Sequence, residues 1–309
     1  MNRYSTRRAR IMLTIMMEWA PAAVGAFIRE ASSFLESHGP DRVRELKLPF
    51  ADLFGRPETL ARLANAYLGR VIAGEADGGD PVLNNDILIL CHTPALSLRI
   101  VKDRADVAAF GARPSQGALG NANVSAVVSY PANTLIHLVA PHPVDVQWYC
   151  LERGADFDVF DATLKIRPDG SERLAGGSTI HVDARRRFPV LPVDAEAAYV
   201  ALSGACVNSQ VVSFHPETLR PLGASMASEH HSVLCVMLGL LDARQGAYPL
   251  QAVLELARHP DHHVRWAAAT ALGQHSRAQA LDVVRYLAQN DGHKFIRDAA
   301  CRTLREAMQ

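Results

Sequence analysis

Thirteen histidines stand among the 309 residues, and the sharpest arrangement they form is His181-Val182-Asp183. An imidazole and a carboxylate two places apart on a strand project to one side of it. This is the H-x-D form of a facial triad, which holds iron and leaves coordination positions open. His215 is the third ligand in that reading, with His230 or His231 as substitutes, and Arg220 would grip an oxo-acid cosubstrate. The chemistry implied is that of a mononuclear non-heme iron oxygenase, with zinc as the other metal such ligands accept. Counting weighs against it. With thirteen histidines and Asp at about one residue in twenty, about 0.7 such triplets arise by accident.

Other histidines fit a metal less well. His137 and His142 are five apart with Pro141 between them, so no H-x-H pair points into one cavity. A set drawn from His92, His137 and His181 would have to be gathered by sheet pairing. The densest cluster is His259, His262 and His263, with Glu229-His230-His231 second. A zinc ion there would need a further ligand fixed from another element. Edge or core imidazoles bonded to backbone groups are the plainer reading, and near a helix start such rings titrate close to neutrality.

Several reaction classes leave no trace. There is no G-x-x-x-x-G-K-[ST], no G-x-G-x-x-G after a strand and no G-x-S-x-G, so phosphate cradles and hydrolase elbows are absent as motifs. Cys150 in Trp148-Tyr149-Cys150 has apolar neighbours, which favour an inert buried thiol over a nucleophile. Arg185-Arg186-Arg187 reads as a solvated strand end. Catalytic residues therefore remain unassigned.

Composition narrows the class of partner. Thirty-two basic residues balance thirty-two acidic ones, so no global field attracts a polyanion, and nucleic acid is not an expected partner. Five scattered cysteines (Cys91, Cys150, Cys206, Cys235, Cys301) without a C-x-x-C pair read as reduced, buried thiols of a cytoplasmic protein. Arg3, Arg7, Arg8 and Arg10 precede the apolar run Ile11–Met17, but Glu18 interrupts it too early for an export signal. No stretch of eighteen apolar residues is present. The expectation is a cytoplasmic chain with no membrane span.

The elements that would position these residues change period along the chain. Pro21–Leu35 sets Ala22, Val24, Phe27, Ile28, Ala31 and Phe34 on one helical stripe, and Gly39-Pro40 stops it. Thr59–Ile72 is a second helix, and Ala73–Pro81 reads as a boundary. From Val82 to about Leu222, short β-branched and aromatic runs recur between Gly, Pro, Asn and Asp. They are Ile87–Cys91, Leu96–Val101, Val124–Tyr130, Thr134–Val139, Val144–Cys150, Phe157–Phe160, Thr179–Val182, Ala198–Leu202 and Gln210–Phe214. Phe110–Asn123 is a long loop. Ser228 returns to helix, where Val233, Val236, Met237, Leu240 and Leu241 share a face suited to capping a helical stack, and Gly246 ends it.

The last sixty residues carry one hairpin written twice. A shift of 32 lays Val264 on Ile296, Arg265 on Arg297, Ala267-Ala268 on Ala299-Ala300 and Leu272 on Leu304. Pro260 breaks the first copy, and Asp261 is placed to cap its second helix. Alanines at 267, 268, 271, 299 and 300 let the helices approach closely. Trp266 stands where the second copy has Asp298. It either packs against the β-rich part or anchors a partner.

The run Pro260-Asp261-His262-His263-Val264-Arg265-Trp266-Ala267 with Leu272-Gly273 resembles the short HEAT-like repeats of phycobilin lyases and many bacterial scaffold proteins. The resemblance covers the chain from Leu250 onward. The second copy departs from it in Gly292 and in Arg305 after Leu304. It implies a curved helical stack that binds another macromolecule or braces an attached domain. The resulting expectation is an α+β protein in three parts: N-terminal helices (1–78), a central antiparallel β sandwich or barrel (79–224) and a HEAT-like α-hairpin stack (225–309). Its function is to hold a protein or peptide partner through Trp266, Arg265, Arg297, His262 and His263. The alternative is the iron enzyme with His181, Asp183 and His215 as ligands.

Overall fold

A computed structural model of the chain describes residues 20–73, 87–101, 126–152, 157–191, 198–241 and 249–307. The arginine-rich start with its apolar run, most of the expected boundary at 73–81, the loop 110–123 and Gly246 lie outside the described residues. Two compact units emerge, Met1–Ala227 and Ser228–Gln309.

In the first unit, α1 (Ala22–His38) buries Val24, Phe27, Ile28, Ala31 and Leu35, the stripe that its apolar spacing dictates. Gly39, at φ 87°, closes the helix by donating its N–H to the Leu35 carbonyl, a left-handed position that glycine takes without penalty. A 3₁₀ turn (Pro40–Leu46), α2 (Lys47–Phe54) and α3 (Pro57–Ala73) complete this layer.

Eleven strands follow among the described residues. They are β1 (Ile87–His92), β2 (Leu96–Val101), β3 (Val127–Val128), β4 (Thr134–Val139), β5 (Val144–Leu151), β6 (Ile166–Leu174), β7 (Thr179–Val182), β8 (Arg187–Val190), β9 (Ala198–Gly204), β10 (Gln210–Phe214) and β11 (Pro221–Met226). A five-stranded sheet has the order β1-β2-β9-β4-β7, and two three-stranded sheets run β11-β10-β3 and β6-β5-β8. Every pairing is antiparallel.

The five-stranded sheet is buried on both faces. Leu96, Leu98, Leu135, Val200 and Leu202 join the helical layer's Phe27, Val43, Phe50 and Leu63 in one cluster. The alternate residues Val101, Ile136, Leu138 and Tyr199 meet Trp148, Phe188, Val212 and Phe214 of the smaller sheets in another. Period-two alternation thus feeds two cores from the same strands. Gly204 marks a close approach of helix layer to sheet: a Cβ there would lie 2.7 Å from Cγ2 of Val43. The change of element type near residue 78 therefore falls within one compact unit.

The strand expectations need correction at five places. Of the expected Val124–Tyr130, residues 124 and 125 lie outside the described ones and the rest is strand only at β3, while Phe157–Phe160 forms a bend whose Phe157 ring packs 6.5 Å from that of Phe214. Phe157 serves the core as a loop side chain, while Phe160 is exposed. β6, β8 and β11 are absent from the expected strands; β6 is exposed along its middle and is held by its ladder to β5.

The second unit is helical: α4 (Glu229–Gly239), α5 (Leu250–Leu256), α6 (His262–His275), α7 (Arg277–Asn290) and α8 (Lys294–Ala307). Asp261 caps α6 by accepting from the His263 and Val264 N–H groups, and Ser276 caps α7 by accepting from Gln279. Ala268, Ala271, Leu272 and Ala280 fill the core between the first hairpin and α4, while Ala269, Val284, Leu287, Ile296 and Ala300 fill the next. The face by which α4 caps the stack differs from the expected one. Leu234, Cys235, Leu238 and Leu241 turn inward, and Val233, Val236, Met237 and Leu240 turn out. Among the described residues no helix is long and apolar enough to cross a membrane.

Candidate functional site

The two turns of the stack are built on the same hydrogen bonds, 32 residues apart. Nη1 of Arg265 donates to the carbonyl oxygens of His259 (2.7 Å) and Pro260 (2.8 Å). Nη1 of Arg297 donates to those of Asp291 (2.6 Å) and Gly292 (3.0 Å). Each arginine thereby satisfies the last carbonyls of the preceding helix and turn. The side chain at the start of each turn also plays the same part in both copies. The Asp261 N–H donates to Nδ1 of His259 (3.0 Å), and the His293 N–H donates to Oδ1 of Asp291 (2.8 Å).

One bond links the turns to each other. Arg265 places Nε and Nη2 on the two oxygens of Asp291, both at 2.7 Å, a bidentate fork with the carboxylate 1% exposed. Burial alone would raise the Asp291 carboxyl, but Arg265 and the His293 N–H hold it below the usual range. Asp261 behaves alike: burial opposes ionisation, and the His231 imidazole at 3.1 Å with the Val264 N–H overcomes it, leaving the carboxyl well below its ordinary value. His259 is pushed down, first by burial and then by His231. Its Nδ1 accepts a bond, so the proton of the neutral ring sits on Nε2.

The histidines form a packed row along this edge. His262 stacks on His293 with ring centroids 3.9 Å apart and planes 5° from parallel, and His231 meets His259 edge-on at 4.9 Å. Between the turns lies an open groove of about 540 Å³, lined by His259, Pro260, His262, Tyr286, Asn290 and His293 among others. Arg258, Pro260, Tyr286, Asn290 and Gly292 are its exposed members.

The residues proposed for partner contact are thus distributed unevenly. Arg265 staples two turns and is 14% exposed. Trp266 is half-buried against Ala269, Val284, Leu287, Ile296 and Ala300, so it packs within the stack. His262, expected to contact a partner, is buried, its ring stacked on His293 and beside His263. His263 and Arg297 are half-exposed at the edge. Asp291 and Tyr286 had no place in the sequence-based set. Asp291 was legible in the 32-residue register, which puts it opposite His259.

The metal-ligand set is not gathered. His181 lies on β7, pairs across from Leu135, and its Nε2 is buried without a hydrogen-bond partner among the described residues. Burial lowers its pKa. Asp183 organises a turn, accepting from the Arg185 N–H at 3.1 Å and facing Arg186 at 3.9 Å. His215 closes the β10–β11 turn, its Nδ1 accepting from the N–H groups of Glu217 and Thr218. Arg220 follows in that turn, its carbonyl bonded to the His215 N–H. His92 on β1 and His137 on β4 are separated by β2 and β9, and His137 bonds Thr179 Oγ1 at 2.8 Å. Among the described residues no group of three His, Cys, Asp or Glu side chains is arranged to hold a metal ion.

Two further readings change. None of the five cysteines forms a disulfide, but Cys206 and Cys301 are exposed and only Cys91 is fully buried. Arg187 is not simply solvated: it pairs with Asp169 at 2.7 Å and covers the Trp148 ring at 4.1 Å. Inside the sheets, Arg99 is buried and donates to Ser203 Oγ at 3.0 Å, which meets Thr134 Oγ1 at 2.9 Å. Burial pushes its guanidinium down to about 10. The alternation Ser97-Leu98-Arg99-Ile100 had already set Ser97 and Arg99 on a common face.

Comparisons with known proteins bear on the two units differently. The family profile for HEAT repeats matches residues 219–305, so the match begins well before Leu250 and takes in α4. No curated protein matches the chain. Among solved structures, an oxalate oxidase is 12% identical over 64% of this chain and 78% of its own, with a TM-score of 0.22. The hydroxypropylphosphonic acid epoxidase of S. wedmorenis, solved with fosfomycin, is 13% identical over 65% and 98%, with a TM-score of 0.21. Likenesses at that level carry no argument about fold or chemistry.

Proposed function

We propose that this chain is a binding or scaffolding protein whose HEAT-repeat unit holds a protein or peptide partner along its turn edge. The observation that carries the reading is the open groove between consecutive turns, rimmed by Arg258, Pro260, Tyr286 and Asn290. Its floor is already hydrogen-bonded and stacked, through Arg265, Asp291, His262 and His293, so a ligand meets a surface that needs no reorganisation. An exposed tyrosine and arginine beside a proline are the residue types that dominate protein contacts. His263 and Arg297 extend the edge on either side. Trp266 and Arg265 act from within, by holding the turns in register.

The test is co-purification from the native source with the full chain, wild type against a Tyr286→Arg, Arg258→Glu variant. Loss of the bound protein with unchanged melting is expected. Retention of the same partner by the variant would remove the groove from the account. Metal analysis of protein prepared without a histidine tag covers the enzyme alternative. Stoichiometric iron or zinc, lost in an His181→Ala, Asp183→Ala variant, would reverse the ordering of the two readings.

A further inference from the structure

The groove between the two turns is rich in hydrogen-bond donors, and its acceptors are already engaged. Nη1 of Arg265 donates to the carbonyl oxygens of His259 and Pro260, and Nη1 of Arg297 to those of Asp291 and Gly292. All four of these turn carbonyls therefore face a guanidinium. The only carboxylate among the lining residues, Asp291, is 1% exposed. Nε and Nη2 of Arg265 hold its two oxygens, and Oδ1 also accepts the His293 N–H. That fork cancels one arginine with one aspartate. What remains is of one sign. Arg258 lines the groove as an exposed cation. His259, whose Nδ1 accepts the Asp261 N–H, keeps its ring proton on Nε2 and so remains a donor. Tyr286 adds an exposed phenol, and His262 and His293 complete the lining imidazoles.

The register between the copies adds to this bias. His293 stands where Asp261 caps α6, so an imidazole replaces a carboxylate at the start of α8. Lys294 and Arg297 follow in the first turn of that helix, the one exposed and the other half-exposed. The acids of the flanking helices are Glu255, bonded to Gln251; Asp282, paired with Arg285; Asp298; and Glu306. None of the four lines the groove. We infer that the groove takes an acidic peptide segment of a protein partner, whose Asp and Glu carboxylates meet Arg258 and the Lys294–Arg297 edge. Pro260 and Tyr286 supply the apolar contact that such a segment also needs. Cations carried on separate side chains suit single carboxylates spaced along an extended chain, whereas one dianionic group calls for converging donors. The inference rests on the reading of the groove as the contact surface and adds the chemistry of what enters it.

The experiment is selection of random peptides of about twelve residues, displayed on phage, against the immobilised full chain, followed by solution binding of the most enriched sequence. Enriched peptides are expected to be net negative. Replacing their Asp and Glu by Asn and Gln should raise the dissociation constant about tenfold, and Arg258→Gln in the protein should raise it about threefold. Raising salt from about 50 to about 300 mM should weaken binding about fivefold. Neutral or basic peptides that bind the parent but not a Tyr286→Ala, Arg258→Gln variant would overturn the acidic ligand and leave the groove as the contact surface. Acidic peptides that bind this variant as tightly as the parent would overturn both. A selection that enriches no sequence overturns the acidic ligand alone, because co-purification of a folded partner tests the groove separately.

Discussion

The two compact units solve burial in opposite ways. In the first, strands far apart in sequence meet: β2 pairs with β9 and β9 with β4, and both faces of their sheet are covered. In the second, contacts stay local along the chain, α4 and α5 packing on α6, α6 on α7 and α7 on α8; cores are small and alanine-rich, and polar staples at the turns set the register. The contrast teaches where each unit is vulnerable. A sheet core is a shared structure that one deletion weakens everywhere, whereas a linear stack is weakened locally, at the junction that is cut.

The largest effect should come from the sheet. Leu202→Ala removes a side chain that is 0% exposed between sheet and helices, and about 3 kcal/mol of stability is expected to be lost in denaturant unfolding. A loss under 1 kcal/mol would mean that the helical layer does not pack there as described.

In the stack, Arg265→Ala leaves the buried Asp291 carboxylate unpaired and is expected to cost about 3 kcal/mol. Arg297→Ala, which removes bonds to two carbonyls but no carboxylate, should cost about 1 kcal/mol. The difference between these equivalent arginines isolates the junction, and a double-mutant cycle of Arg265 with Asp291 measures it directly. Equal costs would show that the fork adds nothing.

Acid should act on the stack in two steps. His259 has a lowered folded pKa, so the neutral ring favours the fold above its unfolded value near about 6.5, and that contribution fades as pH falls below it. Asp261 and Asp291 are also lowered, so their stabilisation holds above the unfolded carboxylate value of about 3.9 and disappears as pH falls through the folded values. Stability followed by helical signal should therefore decline from about pH 6.5 and again below about pH 4. A His259→Gln variant should lose the first step. A profile flat between pH 7 and 5 would contradict the environment assigned to His259.

The smallest effect on stability belongs to the groove rim. Tyr286→Ala alters an exposed side chain and should change stability by less than about 0.5 kcal/mol. Its consequence is expected in partner binding alone.

How much of this was legible depended on locality. The helical spacing from Val24 to Leu35 and the repeat from Val264 to Leu304 can be read within short windows, and both elements stand as read. Alternation exposed most strands, yet β6, β8 and β11 escaped; in β6, Pro168, Asp169 and Gly170 suit a turn, and only pairing with β5 makes them a strand. Site chemistry was less accessible. The fork from Arg265 to Asp291 and the His262–His293 stack join residues on different hairpins, and adjacency in sequence carries no sign of either. His181, Asp183 and His215 show the converse: a suggestive spacing whose members fold into separate turns and strands.

Site-specific photo-crosslinking in the native source tests the division of labour most directly. A photoreactive residue replaces Tyr286 in the groove of the full chain, or Phe160, an exposed position of the first unit, as the control. The account predicts a discrete partner crosslinked from position 286 and none from 160. Crosslinks from 160 with none from 286 would place the binding surface on the β-rich unit and contradict it.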